Sequence, residues 1–372
     1  MKRKVAVFAV LVVFLAITSI SQAVETWDID KVRNKKVLDN KDLEIIDDFV
    51  AEAVAELVAS GDFVSVAKTR IAILVRKNAN ITGEQGQYIE QFSDSAYKHI
   101  SKAFEQVSAL TDEDQKFKAI LNLLILADGL EDVRLANLAL EKLNDENIVI
   151  RYWAVHAVTN AGITKQLNSN DRANSKLAEE IVERLEGIVD RASPEILALA
   201  AEFAAKVKIR RGDDLLLLIA DTRIKKYADW TVEYERLDGD ILGLLCGKIS
   251  AGEYKPAFAR SFAQLYSYAI QRYIKGRDVL SETQKQQLAS VLVETERSCI
   301  GIELGIIQST IKKAIEDGNY DWLLSEHNEL LGEQTKAGKL SLKLNFNYGG
   351  GADSNKSIGP LVLADPPALK KY

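Results

Sequence analysis

The 372-residue chain has little sulfur: two cysteines, Cys246 and Cys299, and a single methionine, Met1. A methionine confined to the first position rules out thioether copper ligation and a methionine-rich binding groove. Three histidines, His99, His156 and His327, lie far apart. A metalloprotease helix needs two of them four apart with a glutamate between, so a histidine metal site is not expected. Proline is scarce as well, with five in all; the two inside the helical region, Pro194 and Pro256, sit where helices begin. Aromatic residues make up 7% of the chain, a thin supply for sugar-stacking platforms.

Chemical motifs are missing too. No Gly-x-Ser-x-Gly elbow, Walker loop or dinucleotide fingerprint occurs. Cys246 and Cys299 stand in apolar helical surroundings that disfavour a thiolate nucleophile. They are a candidate disulfide pair if the protein leaves the cytosol, the alternative being two separate buried thiols. Asp238-Gly239-Asp240 has the opening of a calcium loop but lacks the later ligands and the glutamate at the twelfth position. Arg211-Gly212-Asp213 spells an adhesion tripeptide, which a turn between helices explains equally well. Gly349 to Gly351 has no helix behind it to cradle a phosphate. No catalytic residue, cofactor or metal is assigned from the sequence.

What is present begins with an address. Lys2, Arg3 and Lys4 precede an apolar stretch from Val5, and Ser21-Gln22-Ala23 places small residues at −3 and −1 of a cleavage site. Residues 1–23 therefore read as a secretory signal peptide, with an apolar run shorter than the ~20 residues of a spanning helix. Cleavage leaves 372 − 23 = 349 residues with a charge of (48 − 3) − 54 = −9. That balance argues against non-specific nucleic-acid binding. The expected location is extracytoplasmic, secreted or periplasmic, with no transmembrane span in the mature chain. Asn80-Ile81-Thr82 and Asn355-Lys356-Ser357 are glycosylation sequons relevant only to a eukaryotic host.

Helical periodicity then dominates. After a lead-in over 24–40, Leu43, Ile46, Val50, Val54 and Leu57 recur at three- and four-residue steps. Helix starts are marked by Asp62, by capping-box spacing at Thr82–Gln85 and Ser281–Gln284, and by Ser193-Pro194-Glu195. Pairing neighbours gives helix hairpins beginning near residues 41, 84, 131, 171, 211 and 254, at intervals of 43, 47, 40, 40 and 43. The stretch 281–316 is long, with Gly301-Ile302-Glu303-Leu304-Gly305 as a point of close contact or kinking. Over 338–348, Leu340, Leu342, Leu344, Phe346 and Tyr348 alternate with polar residues. That two-residue period predicts a strand, which needs a partner: the chain's own helices, a second short segment, or another molecule. Residues 349–372 read as a flexible tail.

Asp145, Ile150, Arg151, Ala154 and Ala157 order an acid, a β-branched residue, an arginine and two small residues along one helix. This resembles the second helix of a HEAT repeat. The opening of the pattern recurs a helix earlier in Asp128, Val133 and Arg134, and Pro194 to Ala200 repeats it imperfectly, with Leu197 where arginine would stand. The resemblance covers about residues 128–208; elsewhere it rests on the period, which HEAT and armadillo repeats share at about 40–47 residues. It implies an all-α fold: an α-solenoid of about six antiparallel hairpins over 41–337, followed by the short strand and the tail. The function this implies is a non-catalytic protein-interaction scaffold with an unidentified protein partner. The competing reading is an α/α-toroid carbohydrate-active enzyme, a lyase or glycosidase, working through carboxylates.

Overall fold

The structure is a computed structural model, and it describes residues 25–78, 86–169, 171–252, 256–306, 310–349 and 358–367. The leader, the Thr82–Gln85 capping box and both sequons lie outside the described residues. Among those described the fold is all-α apart from one two-stranded hairpin, and no helix is long and apolar enough to cross a membrane. The chain divides into two compact units, Met1–Ile163 and Thr164–Tyr372.

The first unit holds α1 (Trp27–Val32), α2 (Asn40–Ala59), α3 (Phe63–Arg76), α4 (Gly86–Ser108), α5 (Glu113–Leu130), α6 (Val133–Leu140) and α7 (Ile148–Thr159); α8 spans Ala161–Leu167. Most of its helix starts, α2, α3, α5, α6 and α7, are set by side chains that satisfy the orphan amides of the first turn. Asp39 and Asp42 form a reciprocal box before α2, and Asp62 takes the amides of Val64 and Ser65 at α3. Each helix packs on the one two places along: α2 on α4, α3 on α5, α4 on α6 and α5 on α7. The lead-in belongs to this body. Asp30 of α1 takes both Nε and Nη2 of Arg76, and Arg33 donates to the carbonyls of Val75 and Asn78.

The second unit continues with α9 (Arg172–Glu186), α10 (Pro194–Lys206), α11 (Arg210–Ala228), α12 (Arg236–Ser250), α13 (Pro256–Lys275) and α14 (Glu282–Glu294). The same two-along packing joins α9 to α11, α10 to α12, α11 to α13 and α12 to α14. Ser193 caps α10, and Ser281 and Gln284 cap α14 reciprocally, as their spacing predicts. Beyond α14 the winding widens into a π-helical turn, Thr295–Glu303, and stops near Gly305, whose φ of +61° suits glycine. The Gly301–Gly305 stretch is therefore a helix terminus. Two further helices, α15 (Thr310–Glu316) and α16 (Tyr320–Leu331), pack together, and α16 also packs on α13.

The C-terminal region departs from its expected form. Strands β1 (Gly332–Glu333) and β2 (Lys336–Ala337) make a minimal antiparallel hairpin ahead of the predicted strand. Lys339–Lys343 is instead a short helix, α17. Alternation fails because the chain turns back onto α16: Leu340 and Ser341 are both buried, whereas Leu342 is 70% exposed. Gly338 lies so close to Leu331 and Gly332 that a Cβ would fall 2.2 Å from a backbone carbon, which fixes this reversal. Leu344 donates its amide to Leu340, continuing the helical turn, and Tyr348 packs edge-on against Phe346 while its hydroxyl donates to the Leu331 carbonyl. Residues 358–367, expected within a flexible tail, lie extended against α13 of the second unit.

Candidate functional site: a main-chain-reading groove on α13

α13 reads PAFARSFAQLYSYAIQRYIK, and every residue from Ser261 to Arg272 is buried. Its apolar faces pack on α11, α12, α14 and α16. Its polar face, Ser261, Gln264, Ser267 and Gln271, lies at steps of three, three and four residues, one side of a helix. Burying such groups costs free energy unless each is hydrogen-bonded. For Gln264 and Gln271 the partner is the main chain of Leu361 and Leu363, while Ser261 meets Asp221 and Ser267 meets Gln271 and His327.

Leu361 donates its amide to Gln264 Oε1 at 2.8 Å, and its carbonyl accepts from Gln271 Nε2 at 3.0 Å and, at longer range, Gln264 Nε2 at 3.5 Å. Leu363 donates to Gln271 Oε1 at 2.7 Å and accepts from Lys275 Nζ at 2.6 Å. The carbonyl of Ala364 accepts from the Trp230 indole at 3.0 Å, and Asp365 pairs with Lys275 at 2.9 Å. Alternate residues of an extended chain thus present both backbone groups to one side, as an edge strand does to its neighbour. Side-chain amides on a helix stand in for that neighbour.

A serine and a histidine behind it fix the glutamine amide. Gln271 Nε2 also donates to Ser267 Oγ at 2.8 Å, and Ser267 lies 2.8 Å from His327 Nε2. His327 Nδ1 faces Asn328 Oδ1 at 2.9 Å, so it carries the proton and Nε2 accepts from the serine hydroxyl. Burial holds His327 below its ordinary value, keeping the ring neutral. Ser267 and His327 have the composition of a nucleophile and base, but Ser267 is 0% exposed and its oxygen is engaged by Gln271. The pair orients Gln271.

Trp230 is held by a strained loop. Trp230 and Tyr234, between α11 and α12, have φ of +59° and +56°, a region that costs non-glycine residues energy. Beneath, Arg272 reaches Glu235 at 3.1 Å and lies 5.1 Å from the Trp230 ring centroid. Its Nε and Nη1 have no hydrogen-bond partner among the described residues, which leaves the guanidinium to the faces of Trp230 and Tyr227. Arg223 grips Asp238 through Nε at 2.7 Å and Nη2 at 3.0 Å, Tyr227 donates to Asp238 at 2.7 Å, and Arg223 also donates to the carbonyl of Glu233. Burial pushes the Asp238 carboxyl up, and Arg223 and Tyr227 oppose that shift.

The segment's side chains are used unevenly. Leu363 is fully buried, whereas Leu361 and Val362 are 55% and 62% exposed. Leu361 borders a cavity of about 350 Å³ lined by Leu217, Asp221, Arg260 and Tyr348. Val362 and Pro360 border another of about 210 Å³, mostly apolar, lined by Ile274, Leu324 and His327. Gly359 fits where a Cβ would fall 2.6 Å from the Glu333 carbonyl oxygen.

The residues singled out from the sequence lie elsewhere. In α7, Ile150, Ala154 and Ala157 are buried, and Arg151 turns back to the carbonyls of Asp145 and Glu146, 2.7 and 2.9 Å away. The cap of α7 is Asn147, and Asp145, two residues earlier, accepts the Asn147 amide. Asp128 takes His156 of α7 and Asn160 just past its end, while Arg134 folds onto Asp132 and Asp94. The tripeptide Arg211-Gly212-Asp213 is the first turn of α11; Asp213 is buried against Lys248, and Arg211 is held by Glu183 and Glu186. Asp238, the first residue of the calcium-like triplet, is the partner of Arg223. Cys246 and Cys299 are brought together as α12 packs on the π-helical turn, and both are free thiols here. The contact between the two sulfurs, together with burial, pushes the Cys246 thiol up. None of Leu340, Leu342, Leu344 or Phe346 reaches the groove; Tyr348 lines the larger cavity. The groove itself left a sequence signal in the polar stripe of an otherwise apolar α13.

No protein-family model matches the chain, and neither curated proteins nor solved structures include a significant match.

Proposed function

We propose that this protein is an extracytoplasmic, non-catalytic interaction scaffold of HEAT-like helical repeats that holds an extended segment of a protein partner along α13. The observation that carries the reading is the array formed by Gln264, Gln271, Lys275 and Trp230, which engages main-chain groups of an extended peptide at alternate residues. Main-chain recognition of this kind gives affinity without demanding a particular sequence, and flanking cavities add selectivity. The two-along packing of helices within each unit supports the repeat reading, because such units bury their apolar faces only against the next. The leader-like N-terminus supports export.

Parallel peptide and oligosaccharide arrays, probed with the full chain and with a Gln264→Ala/Gln271→Ala variant, test the proposal. Retention of peptides by the parent and its loss in the variant is the expected result. Oligosaccharide binding indifferent to both glutamines would replace the scaffold with the carbohydrate-enzyme reading.

A further inference from the structure

We propose that residues 358–367 are a resident competitor in the α13 groove, and that the groove's partner is an extended peptide of the pattern Gly-Pro-x-Φ-Leu-x-Asp, where Φ is an apolar side chain larger than valine. The inference rests on the peptide-groove reading above and specifies its ligand and its control.

Each position of the pattern comes from a contact. Glycine is required where Gly359 touches the Glu333 main chain, and Pro360 is buried beside it. Leucine fills the buried site at 363, and an acid at 365 meets Lys275. The remaining specification comes from a misfit. Val362 reaches toward the apolar 210 Å³ cavity yet stays 62% exposed, so the resident segment leaves that space unfilled. A void beside an apolar side chain forfeits both burial and dispersion contacts. A phenylalanine or leucine there gains what valine cannot, so a segment from another chain carrying one binds the vacated groove more tightly than the resident's own sequence does. The polar array is indifferent to the exchange, since Gln264, Gln271 and Lys275 contact main-chain atoms at 361 and 363. The resident thereby keeps the buried glutamines satisfied while the groove waits, and it sets a threshold that weaker peptides do not pass.

The test uses two fluorescein-labelled peptides, residues 358–367 and the same sequence with Val362→Phe, titrated by anisotropy. The proteins are the full chain, a full-chain Leu363→Asp variant that expels the resident segment, and Leu363→Asp/Gln271→Ala. Leu363→Asp is expected to bind the parent peptide at least tenfold more tightly than the unsubstituted chain does. The Val362→Phe peptide should bind at least threefold more tightly than the parent peptide, and the Gln271→Ala addition should abolish both. Equal binding to all three proteins overturns the proposal, as does a concentration-dependent dimer of the unsubstituted chain that binds peptide only on dissociating, which would make a second copy the occupant. If Leu363→Asp fails to fold, hydrogen exchange on the unsubstituted chain decides. Amides of Leu361 and Leu363 exchanging far faster than those of α13 support a displaceable segment, and equal protection overturns it. Array binding that depends on Gln264 and Gln271, combined with no gain in Leu363→Asp, would sink the competitor while leaving the groove reading in place.

Discussion

α4 and α13 are both long helices, 23 and 20 residues, with opposite patterns of burial. α4 hides one stripe, with Tyr88, Phe92, Ala96, Ile100, Ala103 and Val107 recurring at three- and four-residue steps, and turns Lys98, Lys102 and Glu105 outward. α13 is buried at every residue from Ser261 to Arg272, with Ser261, Gln264, Ser267, Gln271 and Arg272 among them. Apart from Ser95, apolar packing explains what α4 buries. It does not explain why a helix should carry five polar side chains into its interior, since each one must recover its lost hydration. On α13 an extended main chain recovers it for the two glutamines, Glu235 for Arg272, and the side chains of Asp221 and His327 for the two serines. The contrast separates a helix that builds a body from one that also serves a site.

The comparison breaks first at its most tightly buried ion pair. Asp238→Ala leaves Arg223 buried without its carboxylate and should cost the second unit ~3–5 kcal/mol. Arg134→Ala, which removes surface pairs to Asp94 and Asp132, should cost the first unit no more than ~1 kcal/mol. Denaturant titration followed by peptide-resolved hydrogen exchange reads the two units separately; equal losses would erase the distinction.

Gln271→Ala comes next. It strips the Leu363 amide and Ser267 of a partner, with an expected cost of ~1–3 kcal/mol, and should speed exchange across residues 361–365. The matched change on α4, Gln91→Ala, loses a weak contact to Ser95 and should stay within ~0.5 kcal/mol.

The smallest effect is one of pH. His327 titrates below the usual imidazole value of 6.5 when folded, so below that value the unfolded chain binds more protons than the folded one. Its contribution to stability is therefore full above pH 6.5 and declines as pH falls toward the lowered value. Thermal unfolding between about pH 7.5 and 5 should show this decline in the second unit, and His327→Gln should flatten it. An unchanged slope in that variant would remove the histidine from the account.

Much of the helical framework was legible because helix starts are local chemistry. Asp62, Ser193 and Ser281 cap the helices their spacing predicts, and helices begin at Asn40, Gly86, Val133, Arg172, Arg210 and Pro256, close to the expected hairpin starts. The alternation from Leu340 to Tyr348 misled for a non-local reason. A period of two states what a segment can bury as a strand, while Gly338 and the surface of α16 decided what it does bury. The groove was hidden for the same reason. Gln264 and Gln271 look ordinary until a segment some 90 residues on supplies their partners, although the polar stripe inside an apolar helix was visible without it.

Those separations carry a kinetic consequence. The contacts that cover the polar side of α13 join residues 88–97 positions apart along the chain, and the Trp230 contact spans 134. Closing such loops costs entropy before any contact offsets it, so this cover is expected to settle after the helices have assembled. Every newly folded molecule then passes through a stage with Gln264 and Gln271 facing water, and whatever chain lies nearest at that moment has first refusal.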